Sequence, residues 1–273
     1  MTVLARVRAP ASTANLGPGF DCAAVALDLW NELEVSEGDD EIDAEHLGVR
    51  AFALVAPLEG KRFRFTDDIP RERGLGSSAA VIALGLIAAH AVTGRIVEPE
   101  DLLAQGVALE GHADNLAAAL TGGVCLTWDS RIARVADRPP AVPIALVPEA
   151  TVSTEAARRA LPQDVAHADA TFTAGRAALL GAALASGSEE LFAAALEDRL
   201  HEPYRSRGAP LLESVRERLP QGALGVTISG SGPSVIVWAR PEAAPACAQE
   251  LIVRYPDVRV IELSVSSRGA HAL

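Results

Sequence analysis

One stretch limits what this chain can fold into more than any other. Pro70-Arg-Glu-Arg-Gly-Leu-Gly-Ser-Ser-Ala-Ala80 is a glycine- and serine-rich turn running straight into an alanine-rich apolar segment that ends near Val92. The pattern predicts a helix over 78–92 with its start left accessible. Gly74 and Gly76 carry no Cβ to hold a ligand off the backbone, and Ser77 and Ser78 can cap the helix and offer hydroxyls. The unpaired N–H groups of the first turn carry the positive end of the helix dipole, so a phosphate fits. An ordinary loop with a good N-cap fits equally well. The stretch is not a Walker A loop, because the residue before Ser77 is Gly76 rather than lysine. The chain holds a single lysine, Lys61, so a cation that neutralises phosphate here must be arginine or a metal.

From the start, Met1–Arg8 alternates as a strand, and Pro10-Ala-Ser-Thr-Ala-Asn-Leu-Gly-Pro-Gly-Phe-Asp21 reads as a polar, glycine-rich turn that can project Asn15 and Asp21. Both residues also serve as ordinary turn formers that bond their own backbone. Strands are expected over Trp30–Val35 and Arg62–Phe65, with an acidic turn at Glu37–Glu41 and helical spacing at Leu47, Ala51, Leu54 and Val55. Pro99 opens a helix running to about Glu110, and Glu110-Gly-His-Ala-Asp-Asn115 breaks the apolar pattern before a short helix at Leu116–Leu120. Gly122–Trp128 reads as a strand after a glycine turn, and Pro139-Pro140 marks the junction between domains 1–140 and 141–273. Beyond it lie a strand at Ile144–Val147, a helix start at Ser153 with Arg158 four residues after Thr154, and alanine-rich helices over 165–186 and 188–199. The latter runs into His201-Glu-Pro-Tyr-Arg205, where a lone arginine is expected at a solvated helix end. A strand at Ala223–Ile228, the turn Ser229-Gly-Ser-Gly-Pro233, a strand at Ser234–Ala239, a helix through 242–254 and a strand at 258–265 complete the pass.

Composition narrows the partners. A formal charge of −12 argues against a nucleic-acid surface and requires any phosphate site to be positive locally. The longest apolar run, Ala79–Val92, is too short for a bilayer and carries His90, so no membrane role is expected. Cys22, Cys125 and Cys247 are isolated from one another, which suits a reducing cytoplasm rather than a disulfide frame or a zinc knuckle.

Three motifs stand in a fixed order: Pro10–Asp21, Arg73-Gly-Leu-Gly-Ser-Ser-Ala-Ala80 and Ser229-Gly-Ser-Gly-Pro-Ser234. Together they resemble the signature motifs of the GHMP small-molecule kinases. Within that superfamily the chain is similar to the homoserine kinase family, through Glu110-Gly-His-Ala-Asp-Asn115, Thr154 with Arg158, and His201-Glu-Pro-Tyr-Arg205.

The resemblance, over about residues 3 to 265, implies an α+β, two-domain GHMP kinase fold. The N-terminal part would be like domain 2 of ribosomal protein S5 and the C-terminal part ferredoxin-like, with substrate between them. It implies that Pro70 and the loop Arg73, Gly74, Leu75, Gly76, Ser77, Ser78, Ala79 and Ala80 wrap the phosphates of ATP. Ser78 would face Mg2+; upstream on the helix, where the family places a metal-facing glutamate, this chain has Ala104 beside Gln105, so either Glu110, the nearest carboxylate, takes over or the metal is held by Ser78, water and phosphate oxygens alone. Asn15, Asp21, His112, Thr154, Arg158 and Arg205 match positions that hold L-homoserine, and Asn115 would sit beside the hydroxyl that is phosphorylated, with Arg205 counted beside it as a catalytic residue. An aspartate suits an α-ammonium and a planar guanidinium grips a carboxylate bidentately, so the chemistry agrees. Near the adenine region the chain reads Glu45-His46-Leu47 where an asparagine is common. The resemblance further suggests threonine synthesis and a homodimer. A GHMP kinase of another small alcohol, and a catalytically idle ligand-binding homologue, are the competing expectations.

Overall fold

The computed structural model describes residues 2–39 and 41–273, so Met1 and Asp40, which fall in the expected first strand and acidic turn, lie outside the described residues. The first half of the chain runs β1 (Val3–Asn15), β2 (Gly19–Glu37), α1 (Leu47–Ala53), β3 (Lys61–Asp67), α2 (Ser77–Thr93), α3 (Pro99–Glu110), α4 (Asp114–Thr121), β4 (Val124–Trp128) and β5 (Arg131–Ala136). The second half runs β6 (Val142–Val147), α5 (Thr154–Arg159), α6 (His167–Ser186), α7 (Glu189–Ala195), α8 (Glu202–Arg205), α9 (Leu211–Glu217), β7 (Ala223–Ile228), β8 (Val235–Ala239), α10 (Ala244–Arg254), β9 (Arg259–Glu262) and β10 (His271–Ala272).

The expected turn over Pro10–Asp21 is mostly strand. β1 continues through Ala11–Asn15, Ala11–Ala14 paired with Ala24–Leu27 of β2 and Asn15 with Gly19, and only residues 16–18 turn. The run Ala11–Ala14 holds only small side chains, two apolar and two polar, and is buried on both faces, so it gives little period-two signal. β2 is likewise far longer than expected, since its halves have different neighbours: Asn31–Glu37 pair with β3 and Ala23–Val25 with β4. The helix expected over 188–199 stops at Ala195, because Asp198 turns back to accept from the N–H groups of Leu200, His201 and Glu202.

The first sheet has the order β10-β1-β2-β4-β5, with β3 also on β2. The second has the order β7-β8-β6-β9, all antiparallel, with helices between its first and second strands in the chain and again between its third and fourth. That is the split βαβ arrangement expected of a ferredoxin-like half. The larger apolar core joins the first sheet to α1–α4 and reaches α6, α7 and Trp238 of the second sheet.

Two packing details set the site. α4 lies on an alanine surface made by Ala14, Ala24, Ala26 and its own Ala118, so small side chains let its first turn approach β1 closely. α2 is buried along most of its length and packs on α1 at Gly85, where an added Cβ would stand 2.1 Å from Gly48 O. α2 is therefore held rigidly, with its N-terminus at the junction of both sheets.

Candidate active site

The three motifs of the sequence converge. Ser12 N–H donates to Leu75 O (3.1 Å), Gly230 N–H donates to Ala14 O (3.2 Å), and Ser229 Oγ donates to Gly74 O (2.6 Å) and meets Thr13 Oγ1 (2.9 Å). Gly74 and Gly76 both adopt left-handed φ, +75° and +67°. A Cβ on Gly74 would sit 2.1 Å from Ser229 O, and one on Gly76 would sit 2.1 Å from Ser12 Oγ. The glycines are thus required by protein contacts as well as by ligand access.

The N-cap of α2 is Gly76, and no side chain among the described residues caps it. Ser77 and Ser78 do not serve as the expected caps; the first-turn N–H groups face the cleft, the arrangement that favours an anion. Ser78 Oγ instead donates to Glu110 Oε2 (2.6 Å), joining the start of α2 to the end of α3. Burial pushes the Glu110 carboxyl above its usual range, while the Ser78 hydroxyl and His112 pull the other way.

One cleft is lined by Asn15, Asp21, Pro70, Arg73–Ser78, Glu110, His112, Asn115, Thr154, Arg158 and Arg205, so residues drawn from five separate segments meet there. Ala79 and Ala80 are the exceptions among the expected phosphate-loop residues. Both are fully buried in the core, and Ala80 N–H already donates to Gly76 O (2.9 Å). Arg73 lines the cleft, but its guanidinium donates to three carbonyls, Pro148 O, Glu149 O and Arg71 O, and so ties the loop to the strand end beyond β6.

In the same cleft, Arg158 donates through both terminal nitrogens to Asp21, at 3.0 and 2.9 Å. The two expected substrate residues satisfy one another. Asn15 serves as a brace: its Oδ1 accepts from Asp21 N–H (3.0 Å) and its Nδ2 donates to Gly230 O (2.8 Å). Asn15 braces the turn and also lines the cleft. Arg205, expected at a solvated helix end, is 5 % exposed, donates to Gly230 O (3.1 Å), faces the Phe20 ring, and leaves its buried Nε without a protein partner. The neighbouring His201 and Glu202 point into the core. His201 is stacked on Phe20 and bonded to Gly17 O, while Glu202 accepts from Ile228 N–H and pairs with Arg216. His112 stands 3.7 Å from Glu110, and Thr154 approaches Ser231 in the third motif.

Two site residues escape the sequence reading. Asp114 lines the cleft at 2 % exposure, one oxygen held by Asn115 N–H (2.7 Å), and burial raises its pKa. Its adjacency to Asn115 at a helix start was the available signal. Ser12 is the other: fully buried, its Oγ donates to Asn115 Oδ1 (2.8 Å). Nothing local marks a serine in a strand as part of a site.

Comparison with known proteins fits this geometry. The profile of the GHMP kinases N terminal domain matches residues 44–123 and that of the GHMP kinases C terminal domain matches 180–257. A homoserine kinase from Synechococcus sp. is 37% identical, over 97% of this chain and 96% of its own length. The chain belongs to the homoserine kinase family of GHMP kinases. Another homoserine kinase, from Streptomyces coelicolor, is 41% identical over 88% of this chain and 85% of its own. The crystal structure of homoserine kinase from Cytophaga hutchinsonii superposes with a TM-score of 0.88 at 28% identity, covering 98% of this chain and 97% of the other. A mevalonate kinase structure shares the fold at 13% identity and a TM-score of 0.73. Membership of a kinase family makes ATP the co-substrate. Among the described residues, no helix is long and apolar enough to cross a membrane.

Proposed function

We propose that this chain transfers the γ-phosphoryl group of ATP to the side-chain hydroxyl of L-homoserine, giving O-phospho-L-homoserine for threonine synthesis. The observation that carries this reading is the pairing of Asp21 with Arg158 in the cleft that the uncapped start of α2 and Arg205 also line. A carboxylate and two guanidiniums facing a phosphate loop suit a zwitterion that carries a reacting group at its other end. A plain alcohol or sugar has no use for that set.

In this reading the amino acid's ammonium takes Asp21, its carboxylate takes Arg158 and Arg205, and His112 lies along its length. The α2 N–H groups take the phosphates. Asn115 orients the hydroxyl; an amide accepts no proton at neutral pH, so the proton passes to a phosphate oxygen as the bond forms. Phosphoryl transfer through a loose transition state asks mainly for positioning and charge neutralisation, which these residues supply.

Ser78 and Glu110 are the residues that would hold Mg2+. Their oxygens meet at 2.6 Å, and hard oxygen donors suit the ion. Among the described residues no group of three or more His, Cys, Asp or Glu is placed to bind a metal, so its remaining ligands would be phosphate oxygens and water. When bound, the ion neutralises phosphate charge. A division into domains 1–140 and 141–273, a cytoplasmic location and a homodimer belong to the same proposal.

The test is ADP release, coupled to a reporter, against homoserine, mevalonate, shikimate, galactose, serine and threonine, with the product identified by phosphorus NMR. Turnover is expected with homoserine above all others. Phosphorylation of a non-amino-acid alcohol in preference to homoserine rejects the reading, and no ADP release from any of them favours an idle homologue.

A further inference from the structure

We propose that Ser12 is a positioning residue for phosphoryl transfer, acting by fixing which end of the Asn115 amide faces the substrate hydroxyl. The proposal rests on the homoserine kinase reading of the cleft and adds a residue to its machinery.

An asparagine side chain presents a donor at one end and an acceptor at the other, and the two ends demand opposite things of a substrate hydroxyl. With Nδ2 toward the cleft, Asn115 donates to the hydroxyl oxygen and leaves the hydroxyl hydrogen free to point at the phosphate. With Oδ1 toward the cleft, the amide captures that hydrogen and turns the oxygen's lone pairs away. Ser12 selects the first arrangement. Its hydroxyl donates to Asn115 Oδ1 at 2.8 Å, whereas the main-chain carbonyl of Asn115, the acceptor that would take this hydrogen if the amide turned its Nδ2 toward Ser12, lies at a weaker 3.4 Å.

Ser12 is itself held firmly. It lies within β1 with no exposed surface, paired with Ala26 of β2, and its N–H donates to Leu75 O. Gly76 packs on its hydroxyl so closely that a Cβ there would overlap it. One residue therefore fixes the loop that takes the phosphates and the amide that takes the acceptor hydroxyl. The relative placement of the two reactants depends on it, and alignment of that kind is where positioning catalysis is most sensitive.

The experiment is a double-mutant cycle on turnover, Ser12→Ala against Asn115→Ala, with homoserine and ATP each varied. Ser12→Ala is expected to lower kcat about tenfold, the loss of one ordered hydrogen bond, with both KM values within about twofold. In the Asn115→Ala background the same change is expected to cost nothing further. An equal loss in both backgrounds, or a loss confined to the KM for ATP, overturns the proposal. If Ser12→Ala does not fold, Ser12→Cys keeps the volume while weakening the donor, and the cycle is read with that variant. If the wild-type protein leaves homoserine untouched, the functional reading fails, and Ser12 is judged without turnover. The Asn115 side-chain amide signals in nitrogen-proton NMR are then expected to shift and broaden in the Ser12 variant. Unchanged signals overturn the proposal in that case as well.

Discussion

The Asp21–Arg158 ion pair makes the two residues opposite sides of one binding event. In the free protein each neutralises the other, and in the proposed binding mode a zwitterion would exchange that pair for two new ones, ammonium to Asp21 and carboxylate to Arg158. Arg158→Ala is therefore expected to raise the KM for homoserine tenfold or more, since it removes a charge-assisted contact of about 1.5–3 kcal/mol and leaves Asp21 unpaired. Arg205→Ala should do the same and also lower thermal stability, because it empties a buried position bonded to Gly230. In both variants the KM for ATP should stay within about threefold. Lysine at 158 should rescue only partly, as it lacks the planar fork. Steady-state kinetics with each substrate varied checks all of this, and a change confined to ATP would move the arginines to the nucleotide. Arg158 was legible from its place in a motif. The depth of Arg205 was not, because nothing in Pro203-Tyr-Arg205 records that the 229–234 turn folds over it.

At the scale of elements, the Gly74–Gly76 loop is less a free cradle than a seam between the first strand and the turn after β7. The glycines were readable in the sequence as places where a backbone meets something closely. What they meet was not, since Ser12 and Ser229 lie far away in the chain. Gly76→Val would thus collide with Ser12 Oγ and hold a β-branched residue at φ +67°, so it should damage the loop itself and not merely exclude ATP. The expected result is a fall in melting temperature of several degrees together with loss of nucleotide binding by calorimetry; full stability with only ATP binding lost would show that the seam yields easily. The long extent of β1 and β2 was hidden for a related reason. Alanine-rich strand buried on both faces lacks alternation, and its length follows from the neighbours it pairs with rather than from its own residues. Helices with glycine stops, such as α2 ending at Gly94 and α3 at Gly111, were read almost to the residue because their signals are local.

For the molecule as a whole, the buried pair His201 and Glu202 gives stability an unusual dependence on pH. Burial lowers the His201 pKa from 6.5 to about 4, so its neutral form is favoured on folding and its contribution is lost as pH falls from 6.5 toward 4. Burial raises the Glu202 pKa from 4.5 to about 7, so its contribution is lost in the other direction, as pH rises from 4.5 through 7. Between pH 4.5 and 6.5 the two oppose one another. His201→Gln should therefore gain stability relative to the wild type as pH falls from 7 to 5, by on the order of 2 kcal/mol. Glu202→Gln should shift the opposite way. Melting curves across that range check the signs, and parallel curves for His201→Gln and the wild type would show that the imidazole does not titrate with folding. The end of the chain carries a second whole-molecule effect. His271 and Ala272 form β10 against Arg8 and Val7 of β1, the strand that leads on to Ser12 and Asn15. Deleting His271 and Ala272 would therefore uncover β1 at Val7 and Arg8, so a change far from the cleft in the chain would be felt along the strand that carries Ser12 and Asn15.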